Sequence, residues 1–190
     1  MENDKKRLFI AIDLPENVKN CLYKAVIKLN EKDKEIKSVP VSNIHLTLKF
    51  LGDVLIERIG KVSSAVENTA KSIKASSFSI GDMFEAFPDS ESARIIYAPV
   101  VEGADLIESF YRSLEDNLSK IKIRKESRKF IPHITVARIK GRKNITHFLK
   151  EPVQDCFINK KCSFSKVTLF ESILKPSGAK YTILKEYELK

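Results

Sequence analysis

The sequence predicts a fold of mixed helices and strands that is built from two related halves. Segments with apolar side chains at every third or fourth position alternate with short segments rich in β-branched and aromatic residues, and these are the patterns of amphipathic helices and of strands. The pattern His-apolar-Thr-apolar also begins twice, at His45 and at His133, about half of the 190-residue chain apart. A duplicated unit is the economical explanation of this spacing.

The N-terminal half contains alternating strands and helices. Pro15 suits the first turn of a helix, where its missing N–H has no hydrogen-bond partner to lose. The segment VSNIHLTLKFL alternates polar and apolar side chains, which predicts a strand with one buried face. The predicted elements are a strand at 6–14, a helix at 16–31, a strand at 41–51, a helix at 57–73, and strands at 78–85 and 93–100.

The C-terminal half has a similar rhythm. A turn is predicted at Lys-Pro-Ser-Gly, residues 175–178, because Pro and Gly favour turns. The predicted elements are a helix at 104–118, a strand at 130–139, a short helix at 146–149, and strands at 163–174 and 181–189. No low-complexity linker interrupts the chain, so we expect a single domain over residues 1–190.

The composition fits a folded protein with a basic surface. Apolar residues make up 43% of the chain, and the 34 Lys and Arg residues outnumber the 25 Asp and Glu residues. This charge suits a polyanionic partner, although a lysine-rich surface is also common in thermostable proteins. No apolar stretch approaches the ~20 residues that cross a bilayer, and the start reaches acidic Asp13 too soon for a signal peptide. We therefore expect a cytoplasmic location without membrane contact.

Neither a metal nor another cofactor is predicted. The cysteines Cys21, Cys156 and Cys162 are odd in number and lack CxxC spacing, so neither a disulfide framework nor a zinc cluster is indicated. No carboxylate cluster or third histidine is placed to complete a ligand set. A Mg²⁺ ion held mainly by substrate phosphates would leave little trace in a sequence.

The two His-x-Thr segments are the candidate catalytic elements. Side chains in a strand alternate between faces, so His45 and Thr47 share one face, as do His133 and Thr135. A twofold relation between the halves would bring both imidazoles to one cleft, where a base and an acid can act on opposite sides of phosphorus. A single His-x-Thr strand is often only an ordinary strand with a polar face. Two copies at this spacing favour a catalytic role for the histidines.

Several other residues leave alternatives open. Lys49 continues the His45 face and either reaches phosphate or is solvated. Phe50 and Phe130 either stack on a base or join the core, and strict alternation favours the core. His147 lacks the motif and is expected at the surface or at a helix end.

Five segments together form a specific pattern: RLFIAIDLP at 7–15, HLTLKFLGD at 45–53, RKFIPHITVAR at 128–138, VTLFES at 167–172 and GAKYTIL at 178–184. In these segments the chain resembles the two-histidine phosphoesterases, and in particular the RNA 2′,3′-cyclic phosphodiesterases formerly called 2′-5′ RNA ligases. This resemblance implies an α+β, bilobal, pseudo-twofold fold, with two antiparallel β-sheets facing a central basic cleft and helices packed outside.

The resemblance also implies a reaction and its residues. A terminal 2′,3′-cyclic phosphate would be hydrolysed to a 2′-phosphomonoester, with His45 protonating the departing 3′ oxygen and His133 accepting a proton from water. On a regular strand an offset of five residues would point Arg138 away from His133, unless a bulge intervenes. The residues implied at the phosphate are Thr47, Thr135, Arg138 and Arg128.

Rival functions remain at this stage. One is an RNA-binding module without catalysis, although phosphate binding alone would not require two histidines. Another is a phosphodiesterase for a different cyclic or 2′-5′-linked nucleotide. Minor 2′-5′ RNA ligase activity is expected to be secondary, because water competes and no motif for energy-driven joining is present. The expected partners are RNA or oligonucleotide ends, bound by a monomer.

Overall fold

The computed structural model of the protein describes residues 4–150, 161–176 and 178–190. Within these residues the helices are α1 Glu16–Lys32, α2 Ile56–Ser72 and α3 Ala104–Lys120, with a 3-10 turn at Val41–Asn43. The strands described are β1 Lys5–Asp13, β2 Ile36–Ser38, β3 His45–Leu55, β4 Ser76–Ile80, β5 Glu85–Phe87, β6 Ala93–Glu102, β7 His133–Lys143, β8 Lys161–Phe164, β9 Lys166–Lys175 and β10 Gly178–Glu188.

The strands form one antiparallel sheet whose two halves are joined by few backbone pairs. Its order is β10-β9-β1-β3-β7-β6-β4-β8, while β2 pairs with β7 and β5 pairs with β6. In the described residues, β3 and β7 are joined through the pair Leu46 and Ile134. The ten-stranded sheet of the described residues therefore consists of two halves that meet at the two His-x-Thr strands, four strands on one side and six on the other with β2 and β5. The predicted α+β fold is confirmed.

The two halves exchange strands. After β3 and α2, strand β4 pairs with β6 in the second half, whereas β9, late in the chain, pairs with β1 in the first half. Each half therefore depends on hydrogen bonds to a strand from the other part of the chain.

The core lies between the sheet and the helices. In α3, side chains at helical spacing are fully buried, including Ile107, Phe110 and Leu114, as an amphipathic helix requires. Burial of one such side chain contributes about 1.5–3 kcal/mol. Phe9 and Phe170 belong instead to a small cluster on the opposite face of the first half. This second face carries His45, whose ring stacks on Phe9.

A bulge in β3 reverses two predicted side-chain directions. Ile10 of β1 lies opposite Lys49, but Ala11 lies opposite Thr47, so Leu48 is an extra residue that shifts the alternation. Lys49 therefore turns into the core, where it is 7% exposed, and Phe50 turns out on the face of His45, where it is 68% exposed. The predictions that Lys49 shares the His45 face and that Phe50 joins the core are both wrong.

A matching bulge occurs in β7. Ile96 of β6 lies opposite Ala137 and Tyr97 lies opposite Thr135, so Val136 is the extra residue. The bulge places the exposed Arg138 on the face of His133. It supplies the irregularity that the odd offset of Arg138 required.

Other departures from the predicted elements are local. The segment 146–149 forms turns, because an isolated segment of four residues cannot nucleate a helix. The strand predicted at 78–85 divides into β4 and β5, the strand at 163–174 divides at Ser165, and the start of the strand at 41–51 forms the 3-10 turn. Strand β2 escaped prediction because three residues carry too little pattern.

The first cysteine also departs from expectation. Cys21 is disulfide-bonded, so the expectation of no disulfide is wrong at this position. Pairing depends on which cysteines the fold brings together, and spacing along the chain does not reveal this. Cys156 lies outside the described residues. In the part of the chain that is described, no helix is long and apolar enough to cross a membrane.

Candidate active site

His45 begins β3 and lies against an aromatic cluster. Its Nε2 is 2.9 Å from Thr47 Oγ1, so the two side chains share one face, as predicted. The imidazole stacks on Phe9, with ring centres 4.9 Å apart, and meets the edge of Tyr181 at 5.4 Å. The ring is therefore fixed on one side by aromatic contacts.

The protonation of His45 is set by opposing effects. Burial lowers its pKa to about 4, while the charge of Asp13 and a backbone hydrogen bond at Asn43 act in the opposite direction. Burial disfavours the charged imidazolium, and the neighbouring carboxylate favours it. In the absence of an anion, His45 is neutral at pH 7.

His133 begins β7 and is oriented by the backbone. Its Nδ1 lies 2.7 Å from the carbonyl oxygen of Ile131, so Nδ1–H donates and Nε2 is left as the acceptor in the neutral ring. The ring meets Phe87 at 5.0 Å and Tyr97 at 5.3 Å, both edge-on. Burial lowers the pKa of His133, which keeps Nε2 unprotonated at neutral pH.

The two histidines lie on neighbouring strands at the junction of the halves. Because Leu46 lies opposite Ile134 in an antiparallel pair, His45 and the hydroxyl-bearing residues beside it fall next to those of β7 on the other face. Arg138 provides a second indication of proximity, since its charge lowers the pKa of both His45 and His133. The register therefore places His45, Thr47, His133, Thr135 and Arg138 on one face of the sheet at the junction of the halves.

A partly buried ion pair adjoins His45. Asp13 lies opposite His45 in the β1–β3 register, and its Oδ1 is 2.9 Å from Lys19 Nζ. Burial opposes the charge of Lys19, but hydrogen bonds with Asp13 and Glu16 raise its pKa overall. This pair is not among the features predicted from the sequence, although the acidic residue at the end of the first strand is a visible signal.

A second ion pair joins β3 to α3 in the core and supports the segment 121–130 that precedes His133. Lys49 Nζ lies 2.6 Å from Glu115 Oε1 and donates to the carbonyl oxygen of Arg124 at 2.9 Å. Glu115 Oε2 accepts from the backbone N–H of Glu126 at 3.1 Å. Phe130 stacks on Tyr111 with ring centres 4.0 Å apart. These contacts hold the segment 121–130, which has little regular structure.

Two candidates lie apart from this arrangement. The side chain of Arg128 is 90% exposed and is 3.8 Å from the carboxylate of Glu126; among the described residues it has no contact with either motif histidine. His147 belongs to a turn and packs against Phe148 at 3.9 Å. Within residues 4–150, 161–176 and 178–190, no group of three or more His, Cys, Asp or Glu could hold a metal ion.

The fold and the paired motifs define a two-lobed phosphoesterase-like protein, and comparison with known families agrees. The model of the family described as LigT like Phosphoesterase matches twice, over residues 12–97 and 98–181. Each match contains one of the two motif histidines. The chain belongs to the LigT-like phosphoesterase family.

The similarity to known proteins extends over nearly the whole chain. A protein of Methanothermobacter thermautotrophicus is 30% identical over 188 residues, covering 97% of this chain and 100% of the relative. One of Methanocaldococcus jannaschii is 32% identical over 186 residues, covering 95% and 99%. Both are named RNA 2′,3′-cyclic phosphodiesterase.

Solved structures share the fold. TT0787 of Thermus thermophilus superposes with a TM-score of 0.78 at 26% identity, covering 96% of this chain and 97% of that chain. Escherichia coli LigT in complex with 3′-AMP gives a TM-score of 0.75 at 22% identity, covering 99% of both.

Proposed function

We propose that the protein is an RNA 2′,3′-cyclic phosphodiesterase that hydrolyses a terminal cyclic phosphate to a 2′-phosphomonoester without a metal ion. The observation that carries the proposal is the placement of His45 and His133 on the two central strands, with Arg138 close enough to both to lower their pKa values. The name RNA 2′,3′-cyclic phosphodiesterase, which two relatives carry, supports the reaction class.

His133 is proposed as the proton acceptor. Its Nδ1–H is occupied by the carbonyl oxygen of Ile131, so the lone pair of Nε2 is the available base. A water molecule beside Nε2 would lose a proton as its oxygen bonds to phosphorus. The lowered pKa of His133 keeps this base unprotonated at neutral pH.

His45 is proposed as the proton donor to the 3′ oxygen, whose bond to phosphorus breaks. Its pKa of about 4 in the free protein leaves too little imidazolium at pH 7. The negative charge of a bound cyclic phosphate, together with Asp13, would raise this pKa, because an opposite charge favours the protonated ring. Substrate binding would therefore supply the acid that the reaction needs.

The phosphate is proposed to be held by Thr47, Thr135 and Arg138. Hydroxyl groups and a guanidinium can donate to the two non-bridging oxygens and offset the charge that develops there. Phe50, exposed on the same face and 5.9 Å from Phe9 between ring centres, offers a surface on which the terminal base can stack. A role of Arg128 at the phosphate remains a prediction.

The remaining expectations about organisation are also proposals. We propose that residues 1–190 form one two-lobed domain, supported by the exchange of β4 and β9 between the halves. Monomeric RNA binding, a cytoplasmic location and minor 2′-5′ ligase activity remain predictions.

A single incubation tests the reaction type and its regiochemistry. An RNA oligonucleotide ending in a 2′,3′-cyclic phosphate is incubated with the protein in EDTA, and the product is identified by ³¹P NMR. The proposal expects a 2′-phosphomonoester. A 3′-phosphomonoester would reverse the assignment of the leaving oxygen, and tight binding without turnover would favour the RNA-binding module.

A further inference from the structure

We propose that a groove beside Phe50 binds an internal phosphodiester of the RNA strand, on the 5′ side of the terminal nucleotide; this inference rests on the proposed function. The groove has a volume of about 360 Å³ and lies between the second half of β3, the start of α2 and the segment 121–130. We call it the cationic groove, because its lining includes Lys5, Arg58, Lys122 and Arg124.

The basic residues of the groove differ from their neighbours in how their charges are balanced. Beside the groove, Lys125 is paired with Asp116 at 2.5 Å and Arg128 lies 3.8 Å from Glu126. In the described part of the chain, the four cations of the groove have no carboxylate within ion-pair distance. The one acidic residue among the lining residues, Asp53, is 3.7 Å from Arg7.

Unpaired cations in one groove repel each other, and an anion relieves this repulsion. The chemistry of the lining identifies the kind of anion. Exposed lysines and arginines bind phosphate without reading a base, since they offer only N–H donors. An internal phosphodiester carries one negative charge and non-bridging oxygens that accept from them, so the groove suits a nucleic acid backbone of any sequence.

The wall that carries Lys122 and Arg124 is fixed in place. Arg58 donates to the carbonyl oxygen of Ile121 at 2.5 Å, and Lys49 donates to that of Arg124. The backbone N–H of Ile123 donates to the carbonyl oxygen of Leu118 at 3.1 Å. A preformed wall loses little conformational freedom when it binds a strand.

The groove lies on the other face of β3 from the proposed active site, because Phe50 shares the face of His45, whereas Leu51 and Val54, which line the groove, pack with the core. Thr47 lies at the proposed phosphate site, Phe50 follows it on the cleft face, and Leu51 and Asp53 line the groove. At about 3.3 Å per residue, Leu51 is about 13 Å from Thr47. A strand whose terminal base stacks on Phe50 would therefore pass around β3, whose described pairing with β7 is at Leu46, before a phosphate further along it reaches the groove.

The test compares a short and a long substrate. The variant Lys122→Ser/Arg124→Ser removes two exposed side chains of the groove, and its matched control Lys24→Ser/Lys28→Ser removes two exposed charges from α1. Cytidine 2′,3′-cyclic phosphate and a hexanucleotide ending in a cyclic phosphate are the substrates. We expect the groove variant to raise KM for the hexanucleotide about tenfold, to leave that of the mononucleotide unchanged, and the control to alter neither.

Direct binding separates the groove from the reaction. Fluorescence anisotropy with a labelled hexanucleotide ending in a 2′-phosphate is measured over a range of salt concentrations. Loss of two phosphate contacts should lower the slope of log affinity against log salt by about 1.4. Equal binding and an equal salt slope for the groove variant and wild type would overturn the groove. If neither substrate is turned over while binding still depends on the groove, the proposed function fails and the groove stands.

Discussion

The replacement Lys49→Met tests whether Lys49 acts in the core or at phosphate. Lys49 is 7% exposed and Glu115 is 6% exposed, and their charged atoms lie 2.6 Å apart. Removal of the ammonium group leaves a carboxylate buried without its counter-ion, which typically costs about 3–5 kcal/mol. Since a domain is stable by only about 5–15 kcal/mol, the free energy of unfolding should fall by a large fraction.

The double variant Lys49→Met/Glu115→Leu separates charge burial from other effects. With both charges replaced by apolar groups, the desolvation cost disappears along with the attraction. The carbonyl oxygen of Arg124 and the N–H of Glu126 lose their partners, but both residues are exposed and water can replace them. We expect the double variant to regain at least about 2 kcal/mol relative to Lys49→Met.

Urea unfolding followed by far-UV circular dichroism measures these changes, since the chain has no Trp. Lys24→Met, at an exposed position of α1, is the matched control and should change stability by less than about 0.5 kcal/mol. A cost of less than about 1 kcal/mol for Lys49→Met, or a double variant that is no more stable than Lys49→Met, would contradict this role of Lys49. A Lys49 that binds phosphate would instead lower turnover in single and double variants alike.

Three further predictions concern His45, the metal requirement and Phe50. Because burial holds the pKa of His45 at about 4 against about 6.5 in the unfolded chain, the unfolded chain takes up the proton first. Stability should therefore fall by about 3 kcal/mol between pH 6.5 and 4, and His45→Asn should flatten this part of a urea-midpoint titration; an unchanged slope would contradict the assignment. Turnover should show a bell-shaped pH dependence and persist in EDTA, whereas loss under chelation that a divalent ion restores would refute the metal-free reaction. Phe50→Ala should raise KM for an RNA end about 5- to 100-fold, as expected for the loss of one stacked base, and an unchanged KM would remove the stacking role. The comparison variant Phe87→Leu alters a ring that contacts His133 instead, and it is expected to change kcat.

The sequence predicted the elements that have a long pattern. Helices α1, α2 and α3 begin and end within two residues of the predicted positions, because their apolar stripes extend over several turns. The pairing of His45 with Thr47 on one face followed directly from strand alternation. Both features depend on residues close together in the chain.

The bulges in β3 and β7 could not be predicted in this way. Each is visible only from the register with a neighbouring strand, in one case β1 and in the other β6. The one-residue shift moved Lys49 into the core and brought Phe50 to the cleft face. The ion pairs of Asp13 with Lys19 and of Lys49 with Glu115 likewise join elements whose packing the chain order does not reveal.

The most direct test of the account is the rate of hydrolysis of an RNA 2′,3′-cyclic phosphate by His45→Gln, by His133→Gln and by the double variant. Two imidazoles that act on one phosphate in one step form a unit, so their losses should not multiply. We predict that each single variant loses at least about 1,000-fold in kcat. The kcat of the double variant should lie within about tenfold of that of the slower single variant. A loss of less than tenfold in either single variant, or losses that multiply in the double variant, would contradict the claim that both histidines serve one reaction.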